Sequence, residues 1–154
     1  MFLTVHASAG LLIGSQIANP WLAFVLGFIS HLILDIIPHG DNNIGEHWPR
    51  WVKIKRLFLI EIADTFSIIL LVYYLVSHNF ILLTPSVTAA VIGTALPDYI
   101  WGFYELTQWR ILGYVSSRIL MYFHDLLNCQ VPILTGIFIQ LTTLIIFLLL
   151  IIYK

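Results

Sequence analysis

Apolar residues run in five long stretches, Phe2 to Ala18, Trp21 to Ile37, Leu57 to Ser77, Val87 to Tyr104 and Val131 to Tyr153, separated by polar breaks. A hydrocarbon core about 30 Å thick takes roughly 20 apolar residues of α-helix, so each stretch has the length and character of a span. Asn19-Pro20 breaks the first two stretches into an antiparallel hairpin. Pro38-His39-Gly40-Asp41 ends the second, and His78-Asn79 with Thr84-Pro85 brackets the turn before the fourth. The pattern predicts an all-α fold: a polytopic membrane helical bundle of about five transmembrane helices, forming one domain over residues 1–154.

Two connections are longer and mixed in character. In His47-Trp48-Pro49-Arg50-Trp51-Val52-Lys53-Ile54-Lys55-Arg56, two tryptophans alternate with four cations, which suits an interfacial anchor between the second and third spans. Gln108 to Gln130 carries Arg110 and Arg118 among apolar residues, as expected for an amphipathic segment at the interface or a re-entrant element.

Composition agrees with the membrane reading: 60% of residues are hydrophobic and 10% charged, where a soluble domain carries about 25% charged residues. The net charge of -1, without a basic tract, gives no electrostatic footprint for nucleic acid. Membrane lipid is the expected partner instead. The single cysteine, Cys129, excludes an internal disulfide and a thiolate metal cluster. Met1-Phe2-Leu3-Thr4-Val5-His6 has no basic stretch before the apolar run, so the first span is expected to be retained.

Charge also sets an orientation. With five spans, the N-terminus and the connections after the second and fourth spans share one side, which holds Arg50, Lys53, Lys55, Arg56, Arg110 and Arg118, while the other holds Lys154. The positive-inside rule makes the basic side cytoplasmic. The expectation is an inner-membrane protein with its N-terminus inside and its C-terminus outside.

An aspartate at mid-span costs about 2.5 to 3.5 kcal/mol on insertion scales, so each ionisable residue there needs a partner or a role. His6 stands near the start of the first span, His31 and Asp35 near the end of the second, Glu61 and Asp64 near the start of the third, and Asp98 near the end of the fourth. Alternating helix directions gather all six on the cytoplasmic side. His31 and Asp35, at i and i+4, share a helix face, as do Glu61 and Asp64 at i and i+3. Histidine nitrogens and carboxylate oxygens without thiolate fit a divalent metal, Zn first and Mn or Fe as alternatives. His39, in the turn beyond the second span, is a further candidate ligand, and His124 could fold back to complete the site.

Each residue also has a plainer explanation. His31 and Asp35 could be a self-satisfied polar pair, His6 a helix-packing hydrogen bond, Asp98 a cap at a helix broken by Pro97, and Glu61 a carboxylate snorkelling to the interface.

The string Gly27-Phe28-Ile29-Ser30-His31-Leu32-Ile33-Leu34-Asp35, followed by Pro38-His39-Gly40, resembles the S-H-L-x-L-D element of the YdjM-like inner-membrane metal-dependent hydrolases. Ile92-Gly93-Thr94-Ala95-Leu96-Pro97-Asp98 is similar to that family's G-x-L-x-P-D element, and His6 with Gly10 to its N-terminal histidine. The family's H-R-G-x-T-H segment has no counterpart here, and His124 is its nearest substitute. The order of the two shared elements is also reversed. The resemblance implies a metal-dependent hydrolase with His31, Asp35, Asp98 and His6 as ligands.

Three functions follow as expectations. The first is a membrane-embedded hydrolase acting on a lipid or polyprenyl phosphate ester, an amphiphilic phosphate-ester substrate whose reactive group rests at headgroup depth. Asp64 or Glu61 would then serve as general base or second-metal ligand. The second is an ion, proton or solute transporter or a channel subunit, since intramembrane carboxylates also mark ion pathways. The third is a structural or assembly protein in which Gly10-x-x-x-Gly14 and the polar residues pack helices. An oligomer, in which a second chain adds ligands, is left open.

Overall fold

The computed structural model describes residues 1–40, 47–107, 109, 111 and 131–154. Among them it has five α-helices: α1 (Leu3–Gln16), α2 (Pro20–Leu34), α3 (Arg50–Ser77), α4 (Pro85–Thr107) and α5 (Ile133–Ile152). The all-α expectation holds. Most of the Gln108 to Gln130 stretch, including His124, lies outside the described residues, as does Asp41.

Local sequence explains the boundaries. Asn19 caps α2 by accepting from the Trp21 and Leu22 amides at 2.9 and 3.2 Å, and Pro20 fills the first helical position, where no amide donor is needed. At the end of α3, Asn79 takes the left-handed conformation (φ 58°), and the Phe80 amide reaches back to the Leu75 carbonyl at 2.9 Å. That arrangement closes the helix with a Schellman turn. Thr84 then caps α4 through the Val87 amide, and Pro85 begins the helix.

Two boundaries differ from the expectation. The basic segment is not a separate anchor, because α3 already begins at Arg50 and carries the cations on its first two turns. Pro49 is the only breaker in that segment, and it suits the residue just before a helix; the Lys53 amide bonds its carbonyl at 2.9 Å. Nor does Pro97 break α4, which continues to Thr107. The proline removes only the donor for the Gly93 carbonyl, and packing on both sides holds the helix through it.

The helix order brings alternate ends together. Met1 meets Asp35 at one end of the molecule. At the other, Ser86 bonds the Ala18 carbonyl and Lys154 the Ser15 carbonyl. Helices α1, α2 and α4 form the tightest group, through small residues. A Cβ at Gly27 or Gly93 would run into the backbone of Ala90 or Phe24, and one at Gly14 into Val87. Such close approach adds dispersion contacts where apolar side chains alone give helices little reason to associate.

Helices α3 and α5 are long and apolar enough to cross a membrane. Large side chains along them, among them Phe66, Tyr73, Leu134 and Phe138, face outward. Helices α1 and α2 reach only about 21 and 22 Å at 1.5 Å per residue, short of a full hydrocarbon core.

Candidate metal centre

His6 on α1, His31 on α2 and Asp98 on α4 place one ligand atom each within 4.8 Å of one another. The three helices that carry them are the three packed most closely. Asp35, the residue closing α2, joins the group: its Oδ2 lies 3.1 Å from His31 Nε2 and its Oδ1 3.2 Å from His6 Nε2. Asp98 Oδ1 is 3.7 Å from His31 Nε2. The two imidazoles stack with their centroids 4.1 Å apart and 23° between the planes. His6 and His31 are buried, whereas Asp98 keeps 29% of its side chain exposed.

The state of His31 follows from its neighbours. Its Nδ1 lies 2.7 Å from the Thr94 carbonyl oxygen, which can only accept, so Nδ1 carries a proton. In a neutral ring Nε2 then presents a lone pair, aimed at carboxylate oxygens of Asp35 and Asp98. Asp35 already has the Met1 ammonium at 3.0 Å, and a lone pair that faces the second carboxylate as well calls for a further cation or a proton between them. A backbone carbonyl that fixes the imidazole tautomer is also the usual outer partner of a metal-ligating histidine. Two ligands about 2.0 to 2.1 Å from a tetrahedral ion stand roughly 3.3 Å apart, and the 3.1 and 3.7 Å separations of His31 Nε2 from Asp35 Oδ2 and Asp98 Oδ1 are near that spacing.

His6 adds an independent sign. It is fully buried, and neither ring nitrogen has a hydrogen-bond partner. Nε2 is nevertheless 3.2 Å from Asp35 Oδ1, within ion-pair distance, so Nδ1 is the nitrogen left with nothing beside it to bond. An imidazole desolvated without a partner is costly, and a bound ion would relieve that cost. Asp35 Oδ1 also accepts from the Met1 ammonium at 3.0 Å, so Oδ2 is the oxygen turned toward His31. The residues present therefore fit a divalent ion held by nitrogen and oxygen donors.

Of the other expected residues that are described, Asp64 and His39 sit apart from this group and Glu61 neighbours Asp98. Asp64 accepts from the Leu3 amide at 2.6 Å, the Thr4 amide at 3.1 Å and the Thr4 hydroxyl. From α3 it thus caps the start of α1, where unpaired amides and the helix dipole favour a carboxylate. Glu61, one turn earlier, has Asp98 and Asp64 as like-charged neighbours, and its Oε1 is buried without a hydrogen-bond partner. His39 is buried against α5 and is not brought into the group: its Nδ1 donates to the Ile37 carbonyl at 2.7 Å. The His39 carbonyl accepts from Gln140 Nε2 at 2.8 Å, and Gln140 Oε1 accepts from the Phe2 amide at 2.7 Å.

Sequence reasoning missed three groups. The Thr94 carbonyl is a backbone acceptor, although its place one turn before Asp98 puts it on the same helix face. The capping role of Asp64 depends on a contact between distant helices. Gln140 could have been suspected, as an amide alone in an apolar span needs partners. No family model, curated protein or solved structure matches the chain.

Proposed function

We propose that the chain is a five-span bundle of the cytoplasmic membrane that hydrolyses an amphiphilic phosphate ester, using a divalent ion held by His6, His31, Asp35 and Asp98. The observation that carries this reading is His31, with Nδ1 committed to the Thr94 carbonyl and Nε2 turned to two carboxylates. The similarity of the Ser30 to Asp35 and Pro97-Asp98 strings to the YdjM-like hydrolases points the same way. Zinc is the first choice, with manganese and iron as alternatives. The cations on the first turns of α3 support a cytoplasmic position for this end of the bundle, by the positive-inside rule.

Bound there, such an ion would supply Lewis-acid chemistry, polarising a phosphoryl oxygen and lowering the pKa of a water toward about 7. The protein does the rest. The Thr94 carbonyl holds the His31 ring in the ligating tautomer. Asp98, the most exposed member, faces the side from which substrate arrives. Glu61, whose Oε1 is buried without a hydrogen-bond partner and which has Asp98 as an electrostatic neighbour, would be the group to accept a proton from the attacking water, because Asp64 is already engaged by the α1 amides.

Metal analysis of purified protein tests the centre. We expect about one equivalent of a divalent metal in the wild type and almost none in His31→Ala or Asp98→Ala. Release of inorganic phosphate from phosphatidic acid should fall with the metal. A wild type that binds no divalent metal after exposure to zinc, manganese and iron(II) sinks the proposal. The plainer reading, a purely structural polar cluster, is favoured by the capping role of Asp64 and would leave metal without effect on the melting temperature.

A further inference from the structure

A groove of about 530 Å³ runs between α3 and α4, walled by Leu57, Phe58, Ile62 and Phe66 on one side and Tyr99 and Phe103 on the other. Its lining residues on α3 extend from Ile54 to Ile69, about 22 Å along the helix at 1.5 Å per residue. One lipid chain needs about half of a 30 Å hydrocarbon core, so the groove is long enough for a chain and the linkage above it. Gly102 lines the wall, and a Cβ placed there would meet nothing within 4 Å. The wall is apolar apart from Glu61, the Thr65 hydroxyl and the Tyr99 hydroxyl, and these two hydroxyls bond each other at 2.8 Å.

The mouth of the groove has a different chemistry. Helical periodicity places Arg50 one turn before Ile54, Trp51 two turns before Phe58, and Lys55 two turns before Ile62, all on the face that lines the groove. All three are exposed. Arg56 points elsewhere, its guanidinium lying 4.3 Å over the Trp48 ring. Cations and an indole directly above an apolar slot are what an anionic headgroup above its hydrocarbon chain requires.

We infer that the α3/α4 groove holds one hydrocarbon chain of an anionic phospholipid, whose headgroup meets Arg50, Trp51 and Lys55. The inference rests on the membrane placement proposed above and not on the metal. Glu61, in the wall and an electrostatic neighbour of Asp98, marks where the groove approaches the metal centre. The bound lipid is therefore of the class the proposed hydrolysis would use.

Native mass spectrometry of the purified full chain, titrated with dioleoyl phosphatidylglycerol or dioleoyl phosphatidylcholine, tests this. The wild type is expected to retain phosphatidylglycerol in preference. Gly102→Trp, which fills open space, should abolish retention of both lipids. Arg50→Gln with Lys55→Gln should weaken phosphatidylglycerol roughly thirtyfold, the effect of losing two cations beside an anionic headgroup. Lys53→Gln with Arg56→Gln removes the same charge from the opposite face and should change retention less than twofold. Equal retention of the two lipids by the wild type, or unchanged retention by Gly102→Trp, overturns the inference. Metal content measured on the same samples separates the two proposals: lipid bound without metal refutes the metal centre alone, and metal bound without lipid preference refutes the groove alone.

Discussion

Asp64 was expected to serve chemistry, and its contacts give it a structural task whose loss can be calculated. Its carboxylate accepts the Leu3 and Thr4 amides, the first donors of α1, together with the Thr4 hydroxyl. Replacing it with leucine leaves two backbone amides without acceptors in an apolar setting. At about 1 to 3 kcal/mol each, the loss is roughly 2 to 6 kcal/mol. Asp64→Asn keeps one acceptor oxygen and loses the charge that favours a helix start, so it should cost about half as much. With about 2 to 4 °C per kcal/mol for a chain of this size, Asp64→Leu lowers the melting temperature by roughly 10 °C and Asp64→Asn by roughly 5 °C.

Thermal unfolding in detergent, followed by tryptophan fluorescence, reads both variants, with bound metal determined on the same samples before heating. The ligands of the proposed ion lie on α1, α2 and α4, so metal stoichiometry in Asp64→Asn should match the wild type. If Asp64→Asn melts with the wild type but loses its metal, the capping argument is wrong and Asp64 belongs to the metal centre.

Two further substitutions test the scaffold. Gln140→Leu deprives the Phe2 amide and the His39 carbonyl of their partners and should destabilise by about 2 to 6 kcal/mol in the same melt, without changing metal content. Gly27→Ala forces a methyl against the Ala90 carbonyl and should cost about 1 to 3 kcal/mol, because helices α2 and α4 must separate to admit it. Gly102→Ala meets open space and should be neutral or stabilise by up to about 1 kcal/mol through helix propensity alone. Equal effects at Gly27 and Gly102 would contradict the close packing of α2 on α4.

The five helices were legible in the sequence because long apolar runs declare helices by their length, and their breaks by proline and asparagine. Asn19-Pro20 and Thr84-Pro85 start helices where the sequence places breaks. The gathering of His6, His31, Asp35 and Asp98 was also legible, since it needs only alternating helix directions and residues near the proper ends. The start of α3 was not. A count of apolar residues stops at the cations, while arginine and lysine are good helix formers that continue a helix out of an apolar region. The separation of Asp64 from the cluster was hidden for a different reason. Position along a helix gives depth, whereas which neighbour a face meets depends on how α1 and α3 are rotated and offset.

That offset bears on function. At one end of the molecule Leu11 of α1 and Leu75 of α3 share an apolar cluster, so the two helices finish nearly level there. At the other end Asp64 meets the first residues of α1, and α3 continues for about 21 Å beyond that level to Arg50. A metal centre at the start of α1 therefore lies in a recess below the tip of α3, and α4 continues beyond Asp98 to Thr107 beside it. In the bilayer placement proposed above, the cations of α3 stand among the headgroups and the centre lies deeper. A water-soluble ester would have to leave its hydration to reach such a place. A lipid held in the α3/α4 groove would already have its chain in the bilayer, but its phosphate too would have to shed water and descend along α3 to reach Asp98. The unequal lengths of α1 and α3 thus set one requirement for the lipid substrate proposed above: its phosphate must descend from the level of Arg50 and Lys55 toward Asp98.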